Sequence, residues 1–177
     1  PSSTMTFLEQ HCIVSPGRAA LHTAQHRIRE KKLAQNLGIQ TPKFWHITNI
    51  ASLHAAMNEL NGAGILKTCQ LGYDGKGQMK ILSGDNLDAI FSSLKTNDAI
   101  LEEMVPFCAE ASFLAARATD GTMSLFPASL NYHKNGILTR SIAPAILPDT
   151  LLTSGQKAVR DLAEALDVVG LLALETF

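Results

Sequence analysis

The stretch Gly64-Ile65-Leu66-Lys67-Thr68-Cys69-Gln70-Leu71-Gly72-Tyr73-Asp74-Gly75-Lys76-Gly77-Gln78 decides how the rest of the chain is read. Residues 64–68 read as a strand, and 78–82 read as a second one. Between them Gly72, Gly75 and Gly77 let backbone N–H groups approach an anion closely, and Lys76 adds positive charge. The spacing is not G-x-x-x-x-G-K-[ST], and a strand rather than a helix follows. A Walker A loop and a dinucleotide-binding fingerprint are therefore both excluded. Taken alone, the segment reads most simply as a glycine-rich hairpin. Lys67 argues the other way, because a lysine in an apolar strand either runs outward to water or meets a negative ligand.

Before this stretch, Leu21, Ala24, Ile28, Leu33 and Leu37 recur at helical spacing from Ala19 until Gly38 stops them. Gln25, Arg27, Arg29, Glu30, Lys31 and Lys32 sit on the polar face of that helix. Residues 1–14 are mixed and end at the turn Ser15-Pro16-Gly17. Thr41-Pro42 opens a short extended piece with Phe44, Trp45 and Ile47, and Leu53, Ala56, Met57 and Leu60 mark a second helix. A third fits 85–94. The second half predicts strands over 99–105, 111–118, 122–132 and 137–142, with hairpin signals at Asp120-Gly121 and Asn135-Gly136. A helix over 151–166 and an apolar strand over 170–177 follow. The pattern predicts an α+β fold. A chain that opens on a helix and stops inside a strand is expected to be the central fragment of a longer protein.

The chain has 177 residues, is 46% hydrophobic, and carries a formal charge of −1. It can bury a core, and it lacks the basic surplus of a general nucleic-acid binder. No apolar run reaches the roughly 20 residues that span a bilayer, and no signal-peptide layout is present, so a cytoplasmic location is expected. Cys12, Cys69 and Cys108 are scattered, which speaks against a disulfide framework or a zinc site and reads as core filling. His11, His22, His26, His46 and His54 show no metal-ligand spacing and receive no role.

Four acids and one histidine remain. Glu102 and Glu103 follow the apolar Ala99-Ile100-Leu101, as a solvated strand end or as acceptors for a base amine or ribose hydroxyl. Glu110 opens the next strand with the same ambiguity. Glu175 interrupts Leu171-Leu172-Ala173-Leu174 in a strand that reads as buried on both faces. There a carboxylate either neutralises or finds a cation, magnesium shared with nucleotide phosphates being the economical one. Otherwise it is a strand-end acid left exposed where the fragment stops. His133 sits where a strand enters a hairpin, which reads as a solvated turn residue.

Lys67-Thr68 with Gly72-Tyr73-Asp74-Gly75-Lys76-Gly77-Gln78, followed by Ile100-Leu101-Glu102-Glu103-Met104-Val105-Pro106-Phe107, resembles the 5-(carboxyamino)imidazole ribonucleotide synthase family of ATP-grasp ligases. Supporting similarity lies in 25–31, Ala115-Ala116-Arg117, 133–138, 141–145 and Gly170-Leu171-Leu172-Ala173-Leu174-Glu175. The resemblance runs from about Phe7 to Phe177. It implies an ATP-grasp fold: a connecting segment and helix over 1–40, a lid-like B subdomain over 41–101, and the first part of the C-terminal antiparallel-sheet subdomain over 102–177. The family's N-terminal Rossmann-like domain and its second metal-binding glutamate lie outside this stretch.

The resemblance also implies roles. Arg27 and Lys67 would contact nucleotide phosphates, with Gly72, Tyr73, Asp74, Gly75, Lys76, Gly77 and Gln78 closing over them. Lys67, Tyr73 and Lys76 would serve the reaction itself. Glu102, Glu103, Met104 and Val105 would form the hinge that reads adenine, with Glu110 on the ribose and His133 near the nucleotide. Glu175 would be the first magnesium carboxylate. The implied partners are ATP, Mg2+, bicarbonate and aminoimidazole ribonucleotide. The implied reaction forms carboxyphosphate and then a carbamate, ADP and phosphate in purine biosynthesis, in a homodimeric parent, with the fragment itself lacking full activity. Cys69, Gln70 and Leu71 depart from the family, which often has basic residues and a further glycine there. A formate-dependent transformylase, a biotin carboxylase type of ligase and a non-catalytic nucleotide-binding module stay open as alternatives.

Overall fold

The computed structural model describes residues 2–60, 62–71, 77–134 and 136–177, with Ser2 and Ser3 as backbone only. Helix α1 (Ser2–Leu8) opens the chain, in a stretch whose sequence carries no helical period. The single helix expected from Ala19 is two, α2 (Arg18–Ala24) and α3 (Arg27–Asn36). Apolar spacing continues across the break, so periodicity cannot register it. A tertiary contact makes it: His26 is extended (φ −144°, ψ 110°), and the Arg27 N–H donates to Cys69 O at 3.1 Å. At the far end Gly38 takes φ 72°, and the N–H groups of Gly38 and Ile39 close on Gln35 O and Ala34 O, both at 2.9 Å. That pair of bonds requires a left-handed residue, which glycine supplies without steric cost.

The first sheet is antiparallel in the order β1-β4-β2-β3, from β1 (Phe44–Ile47), β2 (Gly64–Thr68), β3 (Gln78–Ile81) and β4 (Ala99–Glu103). Two helices flank its sequence, α4 (Ile50–Glu59) and α5 (Leu87–Ser93). Asn49 and Ser52 cap α4 reciprocally, satisfying two otherwise orphaned N–H groups. Strand alternation sorts the sheet into two faces. Ile47, Leu66, Ala99 and Leu101 pack with Leu53, Ala56 and Leu60 on one face. Ile100 and Phe44 meet Ile28 of α3 on the other. Lys67 and Glu102 share the α3 face by the same alternation. β4 ends at Glu103 rather than at Val105, since the Met104 N–H leaves the ladder for Ala63 O.

The second sheet contains β5 (Glu110–Arg117), β6 (Met123–Leu125), β7 (Ser129–Lys134), β8 (Ile137–Ile142) and β9 (Gly170–Thr176). The one strand expected over 122–132 is broken at Phe126-Pro127-Ala128, because Pro127 has no N–H to give the ladder. Its halves lie end to end along β5, with Ala115 opposite Leu125 and Ser112 opposite Ser129. β9 runs antiparallel along the other side of β5, and β8 pairs with β7. Helix α6 (Asp149–Ala165) covers one face, where Val159 meets Phe113, Ala111 and Ala115. Gly155 of α6 is seated so tightly on Phe113 that a Cβ would overlap the ring.

β9 corrects a sequence expectation. It is not buried on both faces: Leu172, Leu174 and Thr176 turn inward, whereas Leu171 is 65% exposed and Glu175 lies on that same open face. Cys12 and Cys108 are exposed, so only Cys69 fills core. Among the described residues no helix is long and apolar enough to cross a membrane.

Candidate functional site

A cavity of about 540 Å3 lies where α3 and the first sheet meet β9, with Arg27, Lys31, Lys67 and Glu102 on one wall and Glu175 on the other. β2 is an interior strand, which disposes of the exposed edge lysine. Lys67 Nζ donates to Glu102 Oε2 at 3.0 Å, and Lys31 Nζ stands 3.6 Å from the same oxygen. Glu102 is 5% exposed, so it is not a solvated strand end; its carboxylate is held by two lysines. Arg27 reaches the cavity from the first turn of α3, where its Nε donates to Thr68 O at 3.2 Å. Glu30 lines the same wall. Although the residue as a whole is exposed, desolvation at the cavity wall pushes its carboxyl above the usual range; Arg27 and Lys31 pull it back, and Glu102 pushes it up.

Glu175 is placed by two neutral donors rather than by a cation. Ser112 Oγ donates to Oε1 at 2.7 Å, and Asn131 Nδ2 donates to Oε2 at 2.9 Å. Ser141 Oγ in turn donates to Asn131 Oδ1 at 2.8 Å, which fixes the amide. Strand register brings these together, since Ser112 is opposite Glu175 and Asn131 is opposite both Glu110 and Ser141. Among the described residues no basic group pairs with Glu175. A hydrogen-bonded, exposed carboxylate with free lone pairs on the cavity side fits a hard, oxygen-seeking cation. The cationic wall across the cavity fits the phosphates that such a cation accompanies.

Glu110 contacts His133 through Oε2 and Nδ1, and neither lines this cavity. His133 is exposed, as expected, but it lies in β7 with a carboxylate partner rather than in the turn. Met104 is exposed, Glu103 lines neither cavity, and Val105 belongs to an adjacent cavity of about 760 Å3. The two cavities share Ile39, Gln40, Leu174, Thr176 and Phe177. The larger one carries a lysine, Lys157, already paired with Asp161, so the phosphate-compatible charge is in the smaller. Gly72, Tyr73, Asp74, Gly75 and Lys76 lie outside the described residues. Gly77 (φ 75°) and Gln78 stand at the start of β3, with Gln78 opposite Lys67 in the β2 ladder.

Several site residues escaped the sequence. Lys31 is one of many charged residues on a polar helix face, and only the fold brings it to Glu102. Ser112 left a faint signal as a polar residue between Ala111 and Phe113, and Asn131 left none. The histidines were set aside, yet His26 Nε2 and His46 Nε2 both engage Asp98, at 3.0 and 2.9 Å. Cys69 hydrogen-bonds the same carboxylate, and burial together with Asp98 pushes its thiol up to about 12. The Asp98 carboxyl is opposed by its own burial but held below its usual range by His46, Cys69 and His26.

Comparison with known proteins shows where the chain's sequence and fold recur. The ATP-grasp domain model matches residues 32–177. The chain is 38% identical to the N5-carboxyaminoimidazole ribonucleotide synthase of Brucella melitensis, over all of this chain and 49% of that protein. The Pseudomonas aeruginosa enzyme of the same name gives 38% with the same coverage. An N5-carboxyaminoimidazole ribonucleotide synthetase from Thermus thermophilus superposes with a TM-score of 0.91 at 33% identity, over 100% of this chain and 48% of that one. An ADP complex of such a synthetase gives the same score and identity over 47% of its chain. The chain thus spans about half the length of the relatives it matches. With the family model covering both sheets, and with them Lys67, Glu102 and Glu175, the chain belongs to the ATP-grasp family.

Proposed function

We propose that this chain supplies the nucleotide-binding core of an ATP-dependent ligase that carboxylates aminoimidazole ribonucleotide with bicarbonate, yielding ADP and phosphate in purine biosynthesis. The observation that carries this reading is the placement of Lys67 and Glu175 on opposite walls of one cavity, with Arg27 and Lys31 beside the lysine. Similarity to synthases of that name supports the substrate class.

In this reading Arg27, Lys31 and Lys67 receive the ATP phosphates. Glu102 keeps the lysines in place by holding two ammonium groups from a buried strand position. Residues 72–78 close over the phosphates, with Tyr73 and Lys76 joining Lys67 at the reacting end. Glu102, Glu103, Met104 and Val105 form the strand end that lies against adenine; since the Glu102 carboxylate is taken by lysines, base recognition falls to the backbone of 103–105. Glu110, with His133 fixing its carboxylate, takes the ribose.

Glu175 holds magnesium, whose charge neutralises the phosphates during transfer. Phosphoryl transfer is mostly positioning and charge neutralisation, so a cationic wall facing a carboxylate-held cation suffices for it. Transfer to bicarbonate gives carboxyphosphate, which water destroys readily. Closure of 72–78 over the site excludes that water.

The test is phosphate release by the protein in its full natural length. Release that needs both ATP and bicarbonate and rises with aminoimidazole ribonucleotide supports the reading. Turnover driven by formate without bicarbonate refutes it in favour of a transformylase.

A further inference from the structure

His26, Cys69 and Asp98 lie far apart in sequence and meet at the root of the 69–78 segment. Each offers one ligand-type atom, and these atoms all lie within 4.8 Å of one another. His26 and Cys69 are buried, at 8% and 1% exposure, while Asp98 is partly open and gives access from solvent. Asp98 already collects three neighbours: His26 Nε2 on Oδ2 at 3.0 Å, the Cys69 thiol, and His46 Nε2 on Oδ1 at 2.9 Å. A second observation is independent of these bonds. Among the described residues, Nδ1 of the buried His26 ring has no hydrogen-bond partner.

The cluster is distinct from the nucleotide cavity, which none of His26, His46, Cys69 and Asp98 lines. Asp98 precedes β4 and Glu102 lies near its end, about 13 Å apart at roughly 3.3 Å per strand residue. The donor set also differs. Glu175 offers oxygen to a hard cation, whereas thiolate, imidazole and carboxylate together select a borderline-soft one. In a tetrahedral zinc site, with Zn–S about 2.3 Å and Zn–N about 2.0–2.1 Å, neighbouring donor atoms stand roughly 3.2–3.8 Å apart. The observed cluster, within 4.8 Å, reaches that geometry by contracting roughly 1–1.6 Å at most.

We propose that His26, Cys69 and Asp98 bind a zinc ion, with a water in the fourth position and His46 orienting Asp98 through its second oxygen. Binding exchanges the Cys69 S–H bond for S–Zn and releases the proton to solvent. The ion fastens the start of α3, the end of β2 and the approach to β4 to one another. It therefore anchors the base of the glycine-rich segment without touching the nucleotide. His46 is a positioning residue.

The experiment is titration of the 177-residue chain, kept reduced and stripped of metal, with cobalt(II) and then zinc(II). One equivalent of cobalt is expected to give thiolate-to-cobalt charge-transfer absorption and tetrahedral visible bands, both displaced by one equivalent of zinc. The band is expected to survive Cys12→Ser with Cys108→Ser, and to vanish in Cys69→Ser. His46→Ala should keep the stoichiometry and weaken zinc binding about 10- to 100-fold. Absence of the band in the folded parent chain overturns the proposal even if Cys69→Ser does not fold. Its persistence in folded Cys69→Ser overturns it equally, and unchanged zinc affinity in His46→Ala removes His46 from the assignment.

Discussion

Lys67 and Glu102 are diagonal neighbours in the β2–β4 ladder: Lys67 stands opposite Ile100 and Glu102 opposite Ile65, yet Nζ and Oε2 are 3.0 Å apart. Both side chains are largely enclosed, at 18% and 6% exposure. Replacing Glu102 with Gln strands the charges of Lys67 and Lys31. The expected cost is about 1–3 kcal/mol of stability, below the roughly 3–5 kcal/mol of a fully buried broken pair because the lysines keep some water. Denaturant unfolding measures it. Lys67→Ala should weaken ATP binding about tenfold or more by calorimetry, and undiminished affinity would remove Lys67 from the phosphate wall.

Glu175 keeps its place through Ser112 and Asn131, so Glu175→Gln retains shape and loses charge. The magnesium concentration needed for half-maximal ATP binding is expected to rise. An unchanged magnesium dependence would count against Glu175 as a ligand.

Gly155→Ala drives a methyl group into the Phe113 ring, which is 4% exposed and has nowhere to move. Overpacking of this kind costs about 1–3 kcal/mol, despite alanine's better helix propensity. A thermal midpoint equal to or above that of the parent would show that α6 stands off the sheet more than its contacts indicate.

Leu71 adopts φ 62° and is 95% exposed. A left-handed conformation costs a branched residue about 1–2 kcal/mol, whereas the entropic cost of glycine is about 0.5–1 kcal/mol. No packing is lost, so Leu71→Gly should stabilise the chain by about 0.5–1 kcal/mol in urea unfolding. Destabilisation would contradict the left-handed backbone.

Glu30 carries a raised carboxyl pKa. The folded state therefore holds the Glu30 proton more tightly than the unfolded chain does. Its contribution is fully present below the ordinary carboxylate pKa and is lost as pH rises through the raised value. Gln does not titrate, so Glu30→Gln should be more stable than the parent at neutral pH, with the gap closing below about pH 4. Thermal midpoints across pH 4–8 read this, and a gap that widens on acidification would reverse the assignment.

Periodicity and turn chemistry made most elements legible, each for a local reason. β2 is bounded by Gly64 and Thr68 as expected, α6 follows its apolar stripe, and Gly121 and Gly136 take positive φ at the two hairpins. The misreadings also have local explanations. Helical spacing runs unbroken through Gln25-His26, where a contact from Cys69 interrupts the backbone. The apolar run of β9 looked doubly buried because the sequence does not say whether a strand has a covered second face. With that face open, the argument from a buried charge no longer applies to Glu175. Its fit to a cation rests instead on the neutral donors that hold it.

From its order of residues alone, this protein determined most of its strands and helices and the loop chemistry that marks its family, since these depend on neighbours a few positions away. The tertiary structure alone decided which charges meet. Lys31, Lys67 and Glu102 come together because a helix lies on the sheet face where alternation has placed the other two. His26, Cys69 and Asp98 converge because three chain segments cross at one strand end. Electrostatic and coordination chemistry depends on separations of a few ångströms between residues tens of positions apart, and no local pattern encodes those separations.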